Sequence, residues 1–541
     1  MRTLIHLVII LFLLARCANQ TSPTGGPQDK KPPVLIKSFP KDNQRNFVGK
    51  TFELEFDEYV QLKNANEEVL ITPSLGKKSK IVAKKNRVII NPEKPLQENT
   101  TYTINFRDAV QDLNERNPVY NLRLAFSTGP EIDSLKIVGS VNELFKEQPP
   151  DKITVALYQR DTFNIFNHTP TYFTRTNSKG QFSITNLKAG EYYIYAFDDK
   201  NRNLKVDSKT ERFGFVSPQV ILNGQKSDSV RISLFKVDAR PLKITSIRNT
   251  DLQSKLRFNK ALDTLHLEAT QTELTYQYAD TQDEVLIYNP PKKDSLQIRI
   301  FARDSIGHTI DTIAYIKTTD TKLPKERFAV KFAEPKYNLE TKTMVVEASF
   351  NKPLLGFGLD SLYIQLDTTQ FLPINKPDIS IDPLKHRLRI TKKFKAIEPQ
   401  DKRSKPPVPI FIAGKGALIS IDEDSVKSHT AAIKILREDE TGTLTINVTT
   451  NQPTYALELL DSKNTIVSKI SNPKLHTFKN LTPDEYKIRI ITDKNANGKW
   501  DAGNYETGTE PEPVFLFRTI DKKFSTPVRA NWEVGPISIK F

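Results

Sequence analysis

The residues best suited to chemistry lie in one short stretch near the carboxyl end of the chain. Four oxygen-bearing side chains alternate there, and a glycine stands where the chain must turn sharply: Asp493, Asn495, Asn497, Asp501 and Gly498. Calcium takes about six to eight oxygen ligands, and a loop can supply them from its positions 1, 3, 5 and 9. Position 7 then offers a backbone carbonyl, which here belongs to Lys499. The spacing predicts a structural calcium site.

A similar stretch occurs earlier and predicts a second, weaker site with ligands at Asp199, Asn201, Asn203 and Asp207. Leu204 replaces the glycine, which removes the residue that most easily adopts a positive φ. Arg202 and Lys205 also bring positive charge close to the loop. Glu211 is a candidate further ligand in this loop, and Glu506 is its counterpart in the carboxyl-terminal loop. The alternative for both loops is an Asx-rich hairpin whose side chains bond their own backbone.

No catalytic motif accompanies these loops. The sequence lacks a Gly-x-Ser-x-Gly elbow, a His-Glu-x-x-His pair and a phosphate-binding glycine loop, and its seven histidines are scattered. Glu55 and Asp57 lie two residues apart, so on a strand both face the same side. A glycosidase instead needs two carboxylates facing each other across a sugar. Trp500 is expected to anchor its loop, with a sugar platform as the alternative, and we predict that the protein is not an enzyme.

The amino terminus predicts export and lipidation. After Arg2, an apolar run of about a dozen residues ends at Ala15, which is too short to span a bilayer. The sequence Leu-Ala-Arg-Cys at the end of this run resembles a bacterial lipobox and contains Cys17, the only cysteine. The resemblance implies removal of residues 1–16 as a signal peptide and acylation of Cys17 by palmitate-like chains. The alternative is an incidental free thiol, and residues 17–31 are predicted to form a flexible tether.

The composition predicts an all-β protein. Short alternating segments rich in Val, Ile, Thr, Tyr and Phe recur between Pro, Asn, Asp and Gly. At about 100 to 150 residues per domain, 541 residues predict a tandem array of about five β-sandwiches. The net charge of +15 is spread over the whole chain. This distribution favours a solvated basic surface or attraction to anionic envelope components, and no nucleic-acid partner is predicted.

Two kinds of module are distinguishable. In residues 32–129, the segments Phe-Pro-Lys-Asp-Asn, Glu-Phe-Asp-Glu-Tyr-Val and Phe-Ser-Thr-Gly resemble a bacterial Ig-like domain of the surface-layer type. In residues 130–237, an Asn-Ser-Lys-Gly turn followed by Phe-x-Ile, Asn-Leu and Gly-Glu-Tyr-Tyr is similar to transthyretin-like or collagen-binding B-type sandwiches. Residues 439–541 repeat this second pattern. Residues 238–322 and 323–438 echo the first module and are predicted to be degenerate Ig-like sandwiches, the latter with a long Pro- and Lys-rich loop at 397–409.

Together these segments resemble the multi-domain Ig-like lipoproteins that Bacteroidota-type bacteria place on their outer membranes. The resemblance implies a rod of self-sufficient units tied to the outer membrane through Cys17. Its expected role is a non-enzymatic structural or adhesive stalk, or an assembly module, stiffened by calcium. Envelope proteins or glycans are the expected partners. The alternative is a carbohydrate- or peptidoglycan-binding lipoprotein of an uptake or envelope-maintenance system.

Overall fold

A computed structural model describes residues 29–76, 78–159, 163–224, 229–269, 272–279, 281–288, 295–322, 326–382, 385–395 and 407–541. The predicted signal peptide, Cys17, most of the tether and most of the Pro- and Lys-rich loop lie outside these residues. Across the described ranges, the regular structure is almost entirely β-strand, which confirms the all-β prediction. No helix in the described part of the chain is long and apolar enough to cross a membrane.

The first sandwich shows the predicted alternation of buried and outward-facing residues. Its elements are β1 (Leu35–Phe39), β2 (Phe52–Phe56), β3 (Val60–Leu62), α1 (Ala65–Glu68), β4 (Leu70–Thr72), β5 (Lys80–Lys84), β6 (Arg87–Asn91), β7 (Thr101–Arg107), β8 (Val110–Asp112) and β9 (Leu122–Ser127). The sheets have the orders β1-β2-β6-β5 and β4-β7-β9, with β3 paired to β8. Phe52, Leu54 and Phe56 are fully buried, whereas Glu53 and Glu55 face outward.

The second sandwich contains the strands that lead into the earlier Asp and Asn loop. They are β10 (Leu135–Glu143), β11 (Thr154–Tyr158), β12 (Tyr172–Arg175), β13 (Gln181–Leu187), β14 (Gly190–Phe197), β15 (Phe213–Phe215), β16 (Val220–Leu222) and β17 (Val230–Leu234). One sheet has the order β13-β10-β17, in which β10 and β17 run parallel. The other has the order β12-β11-β14-β15, with β16 also paired to β14.

The third sandwich has seven strands among the residues that the structure describes. They are β18 (Ile244–Asn249), β19 (Gln253–Phe258), β20 (Thr264–Ala269), β21 (Tyr276–Tyr278), β22 (Glu284–Tyr288), β23 (Leu296–Arg303) and β24 (Thr309–Ile316). The sheets have the orders β18-β19-β22-β21 and β20-β23-β24. Strand β23 alternates strictly between buried and exposed residues, as expected for a strand with one face toward the core.

The fourth sandwich has strands β25 (Val330–Phe332), β26 (Lys336–Asn338), β27 (Thr343–Phe350), β28 (Leu354–Phe357), β29 (Leu362–Gln365), β30 (Phe371–Pro373), β31 (Ile379–Ile381), β32 (Arg387–Lys393), β33 (Ile410–Ala413), β34 (Leu418–Ser420) and β35 (His429–Ala432). One-turn 3-10 helices occur at Leu359–Ser361 and Lys376–Asp378, and a third, Glu438–Glu440, precedes the fifth sandwich. The main sheets have the orders β25-β27-β32-β31 and β30-β29-β33-β35.

The fifth sandwich has the topology of the second. Its strands are β36 (Gly442–Thr449), β37 (Tyr455–Leu460), β38 (Ile466–Ser471), β39 (Leu475–Leu481), β40 (Asp484–Thr492), β41 (Val514–Leu516), β42 (Ser525–Val528) and β43 (Glu533–Lys540). The order β39-β36-β43 again contains a parallel pair, and β38-β37-β40-β41 again carries a further strand, β42, paired to β40. The repeat predicted from the sequence is therefore a repeat of the whole strand arrangement.

The first, third and fourth sandwiches also share a sheet pattern. In each of these sandwiches, the strand whose sequence resembles Phe52–Phe56 is second in one sheet, beside the first strand of the module. These strands are β2, β19 and β27, in the orders β1-β2-β6-β5, β18-β19-β22-β21 and β25-β27-β32-β31. A register shift interrupts both the β1–β2 and the β18–β19 pairing near the start of the first strand. Each of the five sandwiches has its own buried core. The predicted tandem array is thus confirmed, while the predicted module boundaries remain predictions.

The expectation of a simple rod is wrong, because the fifth sandwich folds back onto the second and third. A sixth apolar cluster joins side chains of the second sandwich to Trp500 and Tyr505 of the fifth. Polar contacts reinforce the junction: Lys487 forms an ion pair with Glu147 at 2.6 Å, and the Ser217 N–H donates to Glu510 at 2.8 Å. Trp500, within the carboxyl-terminal loop, and Tyr505, just after it, explain this geometry, since both pack against the second sandwich.

Candidate functional site

The carboxyl-terminal Asp and Asn loop connects β40 to β41, and Asp493 organises its first turn. The Asp493 side chain is 7% exposed. Its carboxylate accepts hydrogen bonds from the backbone N–H groups of Asn497 at 3.0 Å and Gly498 at 2.8 Å. Gly498 has a φ of +72°, which a residue with a Cβ adopts only with strain. The glycine therefore allows the loop to close around Asp493.

The side chains of the same loop converge on Asp501. The side-chain amides of Asn495 and Asn497 donate to one oxygen of the Asp501 carboxylate at 2.7 and 2.9 Å. The Asn497 side-chain oxygen accepts from the Lys499 N–H at 2.7 Å. In this geometry the loop satisfies its own hydrogen-bonding groups, as in the Asx-rich alternative.

The donor set nevertheless fits a hard cation. Rotation of the Asn495 and Asn497 amides by about 180° would turn oxygens toward Asp501 in place of N–H groups. Those oxygens and the carboxylate would repel one another unless a cation lay between them, and oxygen is the ligand that calcium prefers. The ammonium of Lys469 donates to the Gly498 carbonyl at 2.9 Å and brings a positive charge to the loop.

Glu512, which was not predicted as a site residue, joins the two ends of the loop through hydrogen bonds. Its carboxylate accepts from the backbone N–H groups of Lys494 at 2.6 Å and Asp501 at 3.0 Å. Burial raises the pKa of Glu512, and the charges of Asp501 and Asp493 raise it further. Burial is the largest cause of the increase, and the two charges add a smaller repulsion that a nearby divalent cation would reduce.

The predicted role of Glu506 as a ligand in this loop is wrong. Its carboxylate lies 3.2 Å from Nε2 of His308 in the third sandwich. Nearby, the side-chain amide of Asn504 donates to the Ile306 carbonyl at 2.9 Å. Glu506 therefore belongs to the contact between the third and fifth sandwiches.

The earlier loop joins β14 to β15 and has the same framework. Asp199 accepts from the N–H groups of Asn203 at 2.8 Å and Leu204 at 3.2 Å. Glu211, which was predicted as a ligand, accepts from the Lys200 N–H at 3.0 Å and the Asp207 N–H at 2.8 Å. It is therefore the structural counterpart of Glu512. Burial raises its pKa, as do the charges of Asp199 and Asp207.

Two features distinguish the earlier loop from the carboxyl-terminal one. Leu204 takes a φ of +57° at the place of Gly498, so the turn is formed with backbone strain. The Asp207 carboxylate accepts from the Lys209 N–H at 3.1 Å, while Asn201 and Asn203 bond to backbone N–H groups nearby. The side chains consequently converge less than in the carboxyl-terminal loop.

Both loops lie where sandwiches meet. Arg202, in the earlier loop, forms an ion pair with Glu67 of the first sandwich. The Trp500 indole N–H donates to the Glu512 carbonyl at 3.0 Å, and its ring lies 5.0 Å from that of Phe145 in the second sandwich. Trp500 is thus an anchor, and the surface to which it is anchored belongs to a different module.

The two carboxylates on the outward face near β2 are engaged in contacts within the first sandwich. Glu55 lies 3.5 Å from Arg87, and Asp57 accepts from the Val34 N–H at 2.7 Å. Within the described ranges, no three His, Cys, Asp or Glu side chains lie close enough together to hold a metal ion. Any calcium site in the two loops therefore depends on the asparagine and backbone oxygens.

A comparison against protein families agrees with the sheet pattern and the buried core of the first sandwich, and with the Phe-Ser-Thr-Gly segment at its end. Residues 29–128 match the family described as bacterial Ig-like domain. The first sandwich is a bacterial Ig-like domain. It is followed by a match of residues 147–244 to a family described as "Uncharacterized protein conserved in bacteria (DUF2141)". This second match covers most of the sandwich that carries the earlier loop.

Solved structures that resemble the chain share little sequence with it. Dimeric latent PorU from Porphyromonas gingivalis has 11% identity and a TM-score of 0.22, and the match covers 56% of this chain and 36% of PorU. The chain thus spans about a third of PorU. Domains 1–6 of the surface layer protein SbsC have 10% identity and a TM-score of 0.17, with 91% and 68% covered. BcpA, the major pilin subunit of Bacillus cereus, has 10% identity and a TM-score of 0.12, with 75% and 99% covered. No curated protein matches the chain.

Proposed function

We propose that this protein is a non-enzymatic, lipid-anchored protein of the bacterial outer membrane, in which calcium-bound loops stiffen an array of sandwiches used for adhesion or assembly. The bacterial Ig-like domain supports a role at the cell envelope. The observation that carries the proposal is the position of the two Asp and Asn loops at junctions between modules. An ion that orders either loop would also order the contact between its neighbours.

The calcium proposal predicts that the ion stabilises the second and fifth sandwiches, which carry the two loops. At a free calcium concentration about 100 times the dissociation constant, the free energy of unfolding should rise by about 2.7 kcal/mol. We expect Asp501→Asn to abolish most of the heat seen in calorimetric titration, because it removes charge where the loop side chains converge. The measurements are titration calorimetry and thermal unfolding of the full chain with and without calcium.

The matched control is Asp461→Asn in the same sandwich. Asp461 also caps a turn, since it accepts from the Lys463 N–H at 2.9 Å and the Thr465 N–H at 2.7 Å. It lies in the β37–β38 hairpin, outside the loop, so the control should keep the heat of binding. No heat with millimolar calcium and no rise in melting temperature would show that the loop is the Asx-rich alternative.

The anchor proposal predicts that Cys17→Ser releases the protein from the membrane. A serine cannot accept the thioether-linked lipid, and each buried methylene of that lipid contributes about 0.8 kcal/mol to anchoring. We expect the wild type in the membrane fraction with incorporated radiolabelled palmitate, and the variant in the soluble fraction without label. Asn19→Ser is the control, and a variant that stays labelled and membrane-bound contradicts the proposal.

A further inference from the structure

One sheet of the fourth sandwich has an outward face that is unusually apolar. The register places Tyr363 of β29 beside Pro373 of β30 and Ile412 of β33, and Phe371 lies beside Gln365 on the same face. The intervening residues Leu362, Ile364, Leu372 and Ile374 face the core. An antiparallel sheet with one solvated face normally carries polar residues on that face.

The opposing sheet of the same sandwich follows that rule. Glu347 of β27 lies beside Arg389 of β32 on its outward face, and the two side chains approach within 3.9 Å. Both are largely exposed. The apolar surface is therefore a property of the sheet with the order β30-β29-β33-β35 and not of the module as a whole.

A cleft of about 480 Å³ opens on this face. Its lining includes Asp360, Tyr363, Phe371, Pro373 and Asn375, and its volume is in the range of about 300 to 1,000 Å³ typical of small-ligand sites. The Phe371 side chain is 55% exposed although it lies on a strand. The centres of the Tyr363 and Phe371 rings are 5.7 Å apart with an interplanar angle of 76°, so the two rings are nearly perpendicular to each other.

Polar groups lie at the rim of the same cleft. Asp360 belongs to the 3-10 helix Leu359–Ser361 and is exposed. Its carboxylate forms no ion pair with any other residue in the described part of the chain. Asn375 lines the same cleft, between the end of β30 and the 3-10 helix Lys376–Asp378. The cleft therefore combines an apolar ring surface with a carboxylate and an amide.

We propose that this cleft binds a neutral glycan chain. A pyranose ring has an apolar C–H face that can lie on the exposed Phe371 ring, and its hydroxyls can donate to the Asp360 carboxylate and bond to the Asn375 amide. The Asp360 charge repels uronic acid, phosphate and sulfate groups, which favours a neutral ligand. The inference makes specific the glycan-binding alternative that the sequence indicated, and it depends neither on the anchor nor on calcium.

The proposal is tested by affinity electrophoresis of the full chain in gels containing a neutral polysaccharide. The probes are mixed-linkage β-glucan, galactomannan and arabinoxylan, with polygalacturonate as the acidic comparison. We expect at least one neutral polysaccharide to retard the wild type and polygalacturonate not to do so. Phe371→Ala should weaken that binding at least tenfold, whereas Asp360→Asn should reduce discrimination against polygalacturonate.

The matched control is Phe301→Ala, since Phe301 is a 41% exposed phenylalanine on the third sandwich. It should be retarded as strongly as the wild type. Failure of every neutral polysaccharide to retard the wild type, or equal retardation of Phe371→Ala and Phe301→Ala, overturns the proposal. Phe371-dependent binding of a labelled proline decamer without glycan binding would assign the cleft to peptides and would also overturn it. Asp501→Asn and Cys17→Ser should not change the result, which separates this test from those of calcium and the anchor.

Discussion

Replacement of Asp304 by alanine is expected to lower the free energy of unfolding of the third sandwich by about 3–5 kcal/mol. The Asp304 side chain is 2% exposed and forms an ion pair with Lys260, whose side chain is 8% exposed. It also accepts from the N–H groups of Ile306 at 3.0 Å and His308 at 2.9 Å. The variant leaves the Lys260 ammonium buried without its carboxylate, and a buried charge without a partner is strongly unfavourable.

The pH dependence follows from the pKa of the same carboxyl group. Burial raises the pKa of Asp304, but the hydrogen bonds from Lys260 and His308 lower it more, so it lies below its ordinary value. A carboxyl group whose pKa is lower in the folded state stabilises the fold above its unfolded-state pKa. That contribution is lost as the pH falls through the folded-state value. The wild type should therefore lose protection of β23 and β24 in acid, while the variant should lack this component.

Hydrogen exchange followed by mass spectrometry measures this effect module by module, which a single melting curve of five sandwiches does not. Asp311→Ala is the control, because Asp311 pairs with Arg299 on the exposed face of the same sheet at 2.7 Å. Exposed pairs contribute little to stability, so its exchange should match that of the wild type. Equal loss of protection in both variants would mean that the buried ion pair is not the reason for the effect.

The fold was largely predictable because its determinants are local. Alternation in Phe52–Phe56 and its echoes in β19 and β27 marked strands with one buried face. The repeated Asn-Leu and Glu-Tyr segments marked two modules of one topology. The folding back of the fifth sandwich was not predictable in this way. It depends on contacts between aromatic side chains that lie several hundred residues apart in the sequence. The alternation of apolar and polar residues does not predict such contacts.

The loops show the same limit at the scale of single residues. Glu211 follows Asp207 by four residues, so its place in the loop could be predicted from spacing, but its bonds to the Lys200 and Asp207 N–H groups could not. Glu512 reaches an equivalent position only after an insertion that carries Tyr505 and Glu506, and local spacing pointed to Glu506 instead. The sequence does not predict the cleft on the fourth sandwich, because Tyr363 and Phe371 have the spacing of ordinary residues in a β-hairpin. Only the strand register shows that both face solvent.

The largest effect on the arrangement of the modules is expected from Trp500→Ala. The Trp500 ring lies edge-on to Phe145 at 5.0 Å, and the guanidinium of Arg489 lies over the Phe145 ring at 4.9 Å. Tyr505 extends the cluster, with its ring 5.2 Å from that of Phe166. Trp500 and its neighbours are half-buried, and aromatic anchors at the centre of an interface contribute about 2–4 kcal/mol. We expect the variant to detach the fifth sandwich from the second, with an increased radius of gyration in small-angle X-ray scattering.

The second tryptophan of the chain provides the control. Trp532 is 45% exposed and contacts Arg529 of its own sandwich, with the guanidinium 4.9 Å from the ring centre. Trp532→Ala removes an indole of the same size without touching another module, so it should leave the scattering curve unchanged. If Trp500→Ala also leaves the curve unchanged, the junction is held by its polar contacts, such as Lys487 with Glu147, and the aromatic cluster is not what folds the array back.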